Sequence, residues 1–380
     1  MPVSRRPHRL PPTTGTHEVA AAEWARRRRA LQRGRLLALA TLVAVAGGVA
    51  VVLAGVGSSS PSAASHGATA TGSRQDDARS PGAVSSGSTQ PGKATHSAVG
   101  LRVVRLVDET RSVSLPDGKT VPRTLVTFVR YPALGPPSGG DVVDAPPARA
   151  AGPFPLVVFG HGFAVTPALY ANLLRAWVRA GYVVAAPVFP LENANAPGGP
   201  NESDLPNQPA DMSVVISRML TADDASSGPL SGLIATRQIA VAGQSDGGDS
   251  ALAVAYDPRY RDPRVAAAVI LSGAEIPGIG GFQIAPGGPP LLAVQGTADT
   301  INPPSATNAF YDSAPAPKYR LELLGASHLP PYSWQEPQLG IVEGTTIAFL
   351  DRFLEHSTGA QQRLQSAGNV PGTAMLNADP

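Results

Sequence analysis

Short apolar runs alternate with segments of helical periodicity from about residue 98 to residue 356. Apolar runs of four to eight residues are typical of buried strands, and helical segments between them are typical of strand–helix–strand units. The predicted strands are Leu101–Val107, Thr124–Arg130, Leu156–Phe159, Tyr182–Val188, Gln238–Ala242, Val265–Leu271, Leu291–Gln295 and Tyr319–Leu324. The predicted helices are Pro167–Ala180, Asn207–Leu220, Gly247–Ala255, Pro304–Ser313 and Gly340–His356. This alternation predicts an α/β domain with a mostly parallel sheet.

A different pattern precedes this domain, because residues 36–56 form an uncharged apolar stretch of 21 residues. A helix of that length, at roughly 1.5 Å per residue, reaches about 31 Å, the thickness of the hydrocarbon core of a bilayer. Six arginines lie just before the stretch, at positions 26–29, 33 and 35, and the next basic residue is Arg74. The positive-inside bias therefore predicts a single-pass anchor with a cytoplasmic N-terminus and an extracytoplasmic domain.

A cleaved signal peptide is the alternative to an anchor. The apolar region of such a peptide normally has about 7–15 residues behind a short basic start, whereas residues 1–35 precede the stretch here. We therefore favour an uncleaved signal anchor. The Ser-, Gly-, Ala- and Pro-rich segment that follows has too few apolar side chains to form a core, which predicts a flexible, disordered linker. The predicted organisation is a basic cytoplasmic tail (1–35), a transmembrane anchor (36–56), the linker (57–97), the α/β domain (98–358) and a C-terminal tail (359–380).

Composition excludes several classes of protein. The chain of 380 residues has no cysteine, which excludes disulfides, thiolate metal sites, iron–sulfur clusters and a cysteine nucleophile. Residues 1–35 carry nine Arg and two Glu, a net charge of +7, whereas the other residues carry 21 basic and 26 acidic side chains, a net charge of −5. The excess of basic over acidic residues in the chain therefore comes from the N-terminal segment. Metal-ligand spacings, phosphate-binding glycine loops and basic aromatic stripes are absent from the sequence, so we predict no metal, no cofactor and no nucleic-acid partner.

A candidate nucleophile lies in the motif Gly-Gln-Ser-Asp-Gly at residues 243–247. The pattern G-x-S-x-G forms a strand-to-helix turn that lifts the serine hydroxyl above a sheet. The bare motif is weak evidence in a chain with 40 glycines, but here the apolar strand QIAVA precedes it and small residues follow. This context predicts that Ser245 is a nucleophile, and such a serine needs a neighbouring base to take its proton.

The candidate base is His328, in the loop LLGASHLPPY after the strand Tyr319–Leu324. This loop lies at the carboxyl edge of the predicted sheet, as Ser245 does. Two other histidines fall in the folded region. His161 is interpreted as a structural residue of its loop, and His356 ends the last predicted helix, where it would interact with the helix dipole.

The base also needs an acid that orients its ring, and the chain order Ser, acid, His leaves two candidates. Asp299 follows the strand Leu291–Gln295 in QGTADTINPP, and Glu275 follows the strand Val265–Leu271 in LSGAEIP. Asp299 is favoured because its tight, proline-stopped turn would hold the carboxylate rigidly.

An oxyanion hole needs two backbone N–H groups that point at the developing charge. Asp246, directly after the nucleophile, supplies one of them, and Phe163 in the glycine-containing loop FGHGF supplies the other. The connection 272–290 is too short for a helical cap, so the site is expected to be open. The residues predicted to line it are Phe163, Gln244, Ile276 and Leu329.

In this order, the segments RTLVTFVRYPA, PFPLVVFGHGF, AVAGQSDGG, QGTADTINPP and LELLGASHLPPY resemble the α/β-hydrolase fold family. The resemblance is to its lidless branch of dienelactone hydrolase-like, platelet-activating-factor acetylhydrolase-like and cutinase-like enzymes, and it covers about residues 100–356. It implies a twisted, mostly parallel sheet with helices on both faces and no large cap domain. It also implies a catalytic triad of Ser245, Asp299 and His328.

We therefore expect a membrane-anchored, extracytoplasmic serine hydrolase that cleaves carboxylic esters, either small molecules or lipids. An acyltransferase or peptidase with the same triad stays open, as does an inactive surface binding module. The sequence does not indicate the acyl group, the alcohol or the oligomeric state.

Overall fold

The structure is a computed structural model, and it describes residues 98–275 and 284–380. The predicted cytoplasmic tail, anchor and linker (1–97) and residue Ile276 lie outside the described residues. Within the two described ranges, no helix is both long and apolar enough to cross a membrane. The predicted anchor therefore stays a prediction from sequence.

In the part of the chain that the structure describes, ten strands form a single sheet in the order β10-β9-β8-β7-β6-β4-β5-β2-β1-β3. The strands are β1 (Ala98–Ser114), β2 (Thr120–Ala133), β3 (Asp141–Val143), β4 (Phe154–Gly160), β5 (Val183–Val188), β6 (Ile234–Gln244), β7 (Val265–Leu271), β8 (Leu291–Gly296), β9 (Lys318–Leu323) and β10 (Ala374–Asp379). The strands from β5 to β9 are parallel, whereas β2 and β10 pair antiparallel with their inner neighbours.

Within residues 98–275 and 284–380, six α-helices cover this sheet. They are α1 (Ala171–Arg179), α2 (Gln208–Asp224), α3 (Asp246–Tyr256), α4 (Pro304–Ser313), α5 (Gln338–Phe353) and α6 (Ala360–Gly368). Arg123 and Arg130 lie seven positions apart on β2 and so point to opposite faces. Arg123 binds Asp211 of α2, and Arg130 binds Asp141, which Arg175 of α1 also contacts. Helices therefore lie on both faces, as predicted.

The central strands are buried on both faces, which explains why their sequences are continuous apolar runs. Every residue of β4 (FPLVVFG) and of β8 (LLAVQG) is buried. Because β6, β8 and β9 are parallel, the loops that follow them lie at the same carboxyl edge of the sheet. These loops carry Ser245, Asp299 and His328.

The structure differs from the prediction in three elements. The segment predicted as one helix from Pro167 begins with a 3-10 turn over residues 167–170 before α1. The short strand β3, parallel to β1, was not predicted. Residues 359–380, predicted as a tail, instead form α6, which packs on α5, and β10, which extends the sheet beside β9. The apolar side chains Leu364 and Leu376 are buried there, so this segment is part of the core.

Candidate active site

Ser245 lies on a sharp turn between β6 and α3, with φ 54° and ψ −127°. A positive φ is strained for a residue with a side chain, and the surrounding packing holds it in place. A Cβ on Gly243 would lie 2.1 Å from the carbonyl oxygen of Gly247, and a Cβ on Gly247 would lie 2.2 Å from that of Gly160. The glycines of the motif are therefore required because backbone segments pass each other too closely for any side chain.

Three side chains from separate loops form one hydrogen-bonded chain. The Oγ of Ser245 lies 2.9 Å from Nε2 of His328, and Nδ1 of His328 lies 2.7 Å from Oδ2 of Asp299. Ser245 is 5% and Asp299 3% exposed, so both polar groups are largely withdrawn from water. The structure thus brings together the three residues that the sequence predicted as nucleophile, base and acid.

The carboxylate of Asp299 is held from both sides. Its Oδ1 accepts hydrogen bonds from the backbone N–H groups of Ile301 at 2.9 Å and Asn302 at 3.0 Å. Burial alone would raise the pKa of Asp299, but the hydrogen bonds from His328 and from the backbone lower it below its ordinary value. Asp299 is therefore ionised at neutral pH and is an acceptor for the Nδ1–H of His328.

The loops that carry Asp299 and His328 are packed directly on each other. The N–H of Ala298 donates to the carbonyl of Ala326 at 2.9 Å. A Cβ on Gly296 would lie 2.4 Å from that same carbonyl oxygen, so only glycine permits this approach. The distance between acid and base is therefore set by backbone contacts as well as by their own hydrogen bond.

The candidate oxyanion hole lies beside Ser245. Asp246 is the first residue of α3, so its backbone N–H lies in the first turn of the helix. The loop after β4 passes close to the serine, since a Cβ on Gly162 would lie 3.2 Å from the Cβ of Ser245. Phe163 follows Gly162 directly and is partly exposed. The assignment of Asp246 and Phe163 as oxyanion donors stays a prediction from sequence.

His161 is fully buried in the loop after β4, and it is neutral. Burial lowers its pKa to about 4. Its Nδ1 lies 2.8 Å from the carbonyl oxygen of Gly162, and its Nε2 accepts a hydrogen bond from the N–H of Phe189 at 3.0 Å. The ring therefore ties the loop after β4 to the loop after β5, which is the structural role interpreted from the sequence.

Two acidic side chains interact beneath the nucleophile. The carboxyl groups of Glu192 and Asp246 are both buried and lie near each other. Burial, together with the nearby charge of Asp246, raises the pKa of Glu192 well above its ordinary value. The protonated form of Glu192 is therefore favoured in the folded protein. Its backbone carbonyl also accepts from the N–H of Ala164 at 2.9 Å.

Gln244 does not lie where the sequence predicted it. It was expected to line the substrate cleft, but its side chain is 1% exposed and binds Tyr170 and His328. Leu329 is also buried, with 6% of its surface exposed, so it offers little area to a substrate. The alternative acid Glu275 is half-buried, and Nδ1 of His328 is bound to Asp299 instead. Ile276 lies outside the described residues.

Sequence reasoning missed the buried polar residues that support the site. Arg123 is 1% exposed and binds Asp204 and Asp211, each through two hydrogen bonds of 2.6–2.9 Å. This cluster attaches α2 and the turn before it to β2. The only sequence signal was two acids seven residues apart at the start of a predicted helix.

Among the described residues, no group of His, Asp or Glu side chains is arranged to hold a metal ion.

An apolar groove of about 610 Å³ lies near the carboxyl edge of the sheet, where β5 ends. Its walls are β1, β2, the end of β5 and the loop that follows β5. The residues that line it include Val107, Val126, Val188, Pro190 and Pro197. Because the loop after β5 also contacts the loop after β4, the groove and the candidate oxyanion hole share one supporting segment.

Comparison with solved structures shows which known proteins share this fold. A ferulic acid esterase from Streptomyces cinnamoneus matches with a TM-score of 0.53 and 21% sequence identity, over 70% of this chain and 93% of its own. In all, 855 chains of solved structures match, so the fold is common and does not by itself select a substrate.

Sequence comparison adds one match. A family model described as Chlorophyllase matches residues 135–271. This region runs from just before β3 to the end of β7. It includes Ser245 and both candidate oxyanion donors, but neither Asp299 nor His328. No curated protein matches the chain.

Proposed function

We propose that the protein is a serine hydrolase that cleaves carboxylic esters. The observation that carries this proposal is the hydrogen-bonded chain from Ser245 through His328 to Asp299, at 2.9 and 2.7 Å, beside the first N–H of α3. Nucleophile, base and orienting acid within hydrogen-bond reach of one another are the arrangement that acyl transfer requires. The matches to a ferulic acid esterase and to the Chlorophyllase family model support an ester as the substrate.

In the proposed reaction, Oγ of Ser245 attacks the carbonyl carbon of the ester while its proton passes to Nε2 of His328. Asp299 holds the ring through Nδ1 and stabilises the imidazolium. The N–H groups of Phe163 and Asp246 hold the negative oxygen of the tetrahedral intermediate. His328 then gives its proton to the departing alcohol, which leaves an acyl group on Ser245. A water molecule, deprotonated by His328, attacks this acyl group, and His328 returns the proton to Oγ of Ser245 as the bond to the acyl group breaks and the carboxylic acid is released.

We also propose that this reaction takes place outside the cytoplasm, with the protein held in the membrane by residues 36–56. The support for this placement is the uncharged apolar stretch and the arginines that precede it. Protease treatment of intact cells tests it. Digestion of residues 98–380 from outside is the expected result, and complete protection in intact cells with digestion after lysis would exclude it.

Covalent labelling tests the chemistry. The full-length protein should react with a fluorophosphonate probe at Ser245 and should hydrolyse p-nitrophenyl acetate. Ser245→Ala should abolish both, while its circular dichroism spectrum and unfolding midpoint stay close to those of the unmodified protein. Ser250→Ala is the matched control, because Ser250 is a buried serine of the same helix region whose hydroxyl binds Gln208 instead of a histidine. Labelling that persists in Ser245→Ala would show that the nucleophile is a different residue.

A further inference from the structure

The side chain of Gln244 lies between two functional loops. Gln244 is the last residue of β6, next to Ser245, and it is almost completely buried. On one side its Oε1 accepts a hydrogen bond from the hydroxyl of Tyr170 at 2.7 Å. On the other side its Nε2 donates to the carbonyl of His328 at 3.0 Å and lies 3.2 Å from Nε2 of the same residue.

The donors and acceptors of this group match one another. The hydroxyl of Tyr170 accepts from the N–H of Gly162 at 3.2 Å, so its single hydrogen is available for Oε1 of Gln244. Burial raises the pKa of Tyr170, so the hydroxyl keeps that hydrogen. The amide NH₂ of Gln244 must then face His328, where it donates to the backbone carbonyl and lies 3.2 Å from the ring nitrogen Nε2.

This arrangement favours one tautomer of His328. A hydrogen on Nε2 would face the NH₂ of Gln244, donor against donor, so the ring hydrogen lies on Nδ1, facing Asp299. The lone pair of Nε2 is then available for the proton of Ser245. The bond to the carbonyl of His328 also fixes the backbone of the loop that carries the ring.

The same chain reaches the candidate oxyanion hole. Gly162, which binds Tyr170, directly precedes Phe163, the proposed donor of the second oxyanion N–H. The loop after β4, Tyr170, Gln244 and the loop of His328 are therefore joined in sequence by three hydrogen bonds. A shift in one loop is transmitted to the other through the amide of Gln244.

We propose that Tyr170 and Gln244 are positioning residues that hold the ring of His328 in a fixed position relative to the loop after β4. This inference rests on the proposed ester hydrolysis. Neither side chain is required to touch the substrate. Their loss therefore lowers the rate of acylation and leaves substrate binding unchanged, because orientation contributes to the transition state more than to the initial complex.

A double-mutant cycle on the full-length protein tests this proposal with p-nitrophenyl acetate as substrate. Tyr170→Phe and Gln244→Met should each lower kcat about tenfold, with KM changed less than about twofold. The double variant should be no slower than the slower single variant, because both changes interrupt the same chain. Gln244→Glu is the second variant at position 244, since it keeps an acceptor for Tyr170 but has no N–H for His328. It should show the same loss of kcat.

Tyr131→Phe is the matched control. Tyr131 is as buried as Tyr170, and its hydroxyl also donates one hydrogen bond, to the carbonyl of Ala145 at 2.9 Å, away from the candidate site. Its substitution should leave kcat unchanged. Losses that multiply in the double variant, or an unchanged kcat in Tyr170→Phe, would overturn the positioning role while ester turnover by the unmodified protein stands. Absence of that turnover would overturn the proposed function itself and this inference with it.

Discussion

Nδ1 of His328 lies 2.7 Å from Oδ2 of Asp299, although 29 residues separate them in the chain. The two residues follow neighbouring parallel strands, β9 and β8, so they lie side by side at one edge of the sheet. The loops themselves touch through the N–H of Ala298 and the carbonyl of Ala326. The packing of these two loops therefore helps to set the distance between the acid and the base.

Asp299→Asn tests the role of this contact. An asparagine amide that donates to Nδ1 would select the wrong tautomer of His328, and Nε2 could then no longer accept the serine proton. We expect kcat for p-nitrophenyl acetate to fall by about 10³–10⁴-fold, with KM little changed. Asp312→Asn, at an exposed aspartate of α4, is the control and should keep full activity. A decrease of less than about tenfold in Asp299→Asn would be incompatible with the proposed mechanism.

Gly247→Ala tests the close approach beneath the nucleophile. The added Cβ would lie 2.2 Å from the carbonyl oxygen of Gly160, a backbone atom that cannot rotate away. We expect loss of at least about 100-fold in kcat/KM and a lower unfolding midpoint, because α3 or β4 must move. Gly139→Ala is the matched control, since a Cβ there would meet no atom within 4 Å. Equal activities of the two variants would contradict the packing described.

Arg123→Met tests the buried cluster that attaches α2 to β2. The substitution leaves Asp204 buried without its cation and Asp211 with only Arg111, and breaking a buried ion pair in this way costs about 3–5 kcal/mol. Urea denaturation followed by circular dichroism measures the loss of unfolding free energy. Lys119→Met, which breaks an exposed pair with Asp117, should leave the unfolding free energy almost unchanged. Similar losses in both variants would argue against a special contribution from Arg123.

Glu192→Gln tests the protonated acid beside Asp246. The raised pKa of Glu192 means that the folded protein binds a proton that the unfolded chain releases once pH exceeds the ordinary value of about 4.5. Folding stability from this group is therefore complete below that pH and decreases as pH rises, by about 1.4 kcal/mol for each pH unit in which only the folded state is protonated. The unionisable glutamine avoids this loss.

The stability difference between Glu192→Gln and the unmodified protein should therefore grow in favour of the variant from pH 5 to pH 8. Urea unfolding at the two pH values measures it. Glu109→Gln, at an exposed side chain, should change the unfolding free energy by less than about 0.5 kcal/mol at either pH. A difference for Glu192→Gln that does not depend on pH would show that Glu192 is ionised in the folded protein.

The central strands could be predicted from sequence because burial on both faces leaves a direct record, a continuous apolar run such as LVVFG or LLAVQG. The strands β3 and β10 left no such record. Strand β3 has only three residues, and in β10 the exposed Met375 and the buried Leu376 sit among polar neighbours, a pattern that a surface segment also shows.

The positions of Ser245, Asp299 and His328 could also be predicted, because each directly follows a strand and parallel strands share one carboxyl edge. The position of the Gln244 side chain could not be predicted from the sequence. Its environment depends on Tyr170 and His328, which lie 74 and 84 residues away in the chain and meet only in the folded molecule. Hydrogen bonds between side chains of distant segments leave no periodic pattern in a sequence.

Strand β10 covers the outer edge of β9, with six residue pairs in register from Ala374 with Leu323 to Asp379 with Lys318. Local fraying of this last strand would expose the free N–H and C=O groups of β9, the strand that leads into the loop of His328. The geometry of the imidazole thus depends on how stably β10, a segment further along the chain, stays paired with β9. Amide hydrogen exchange in β10 would measure that stability.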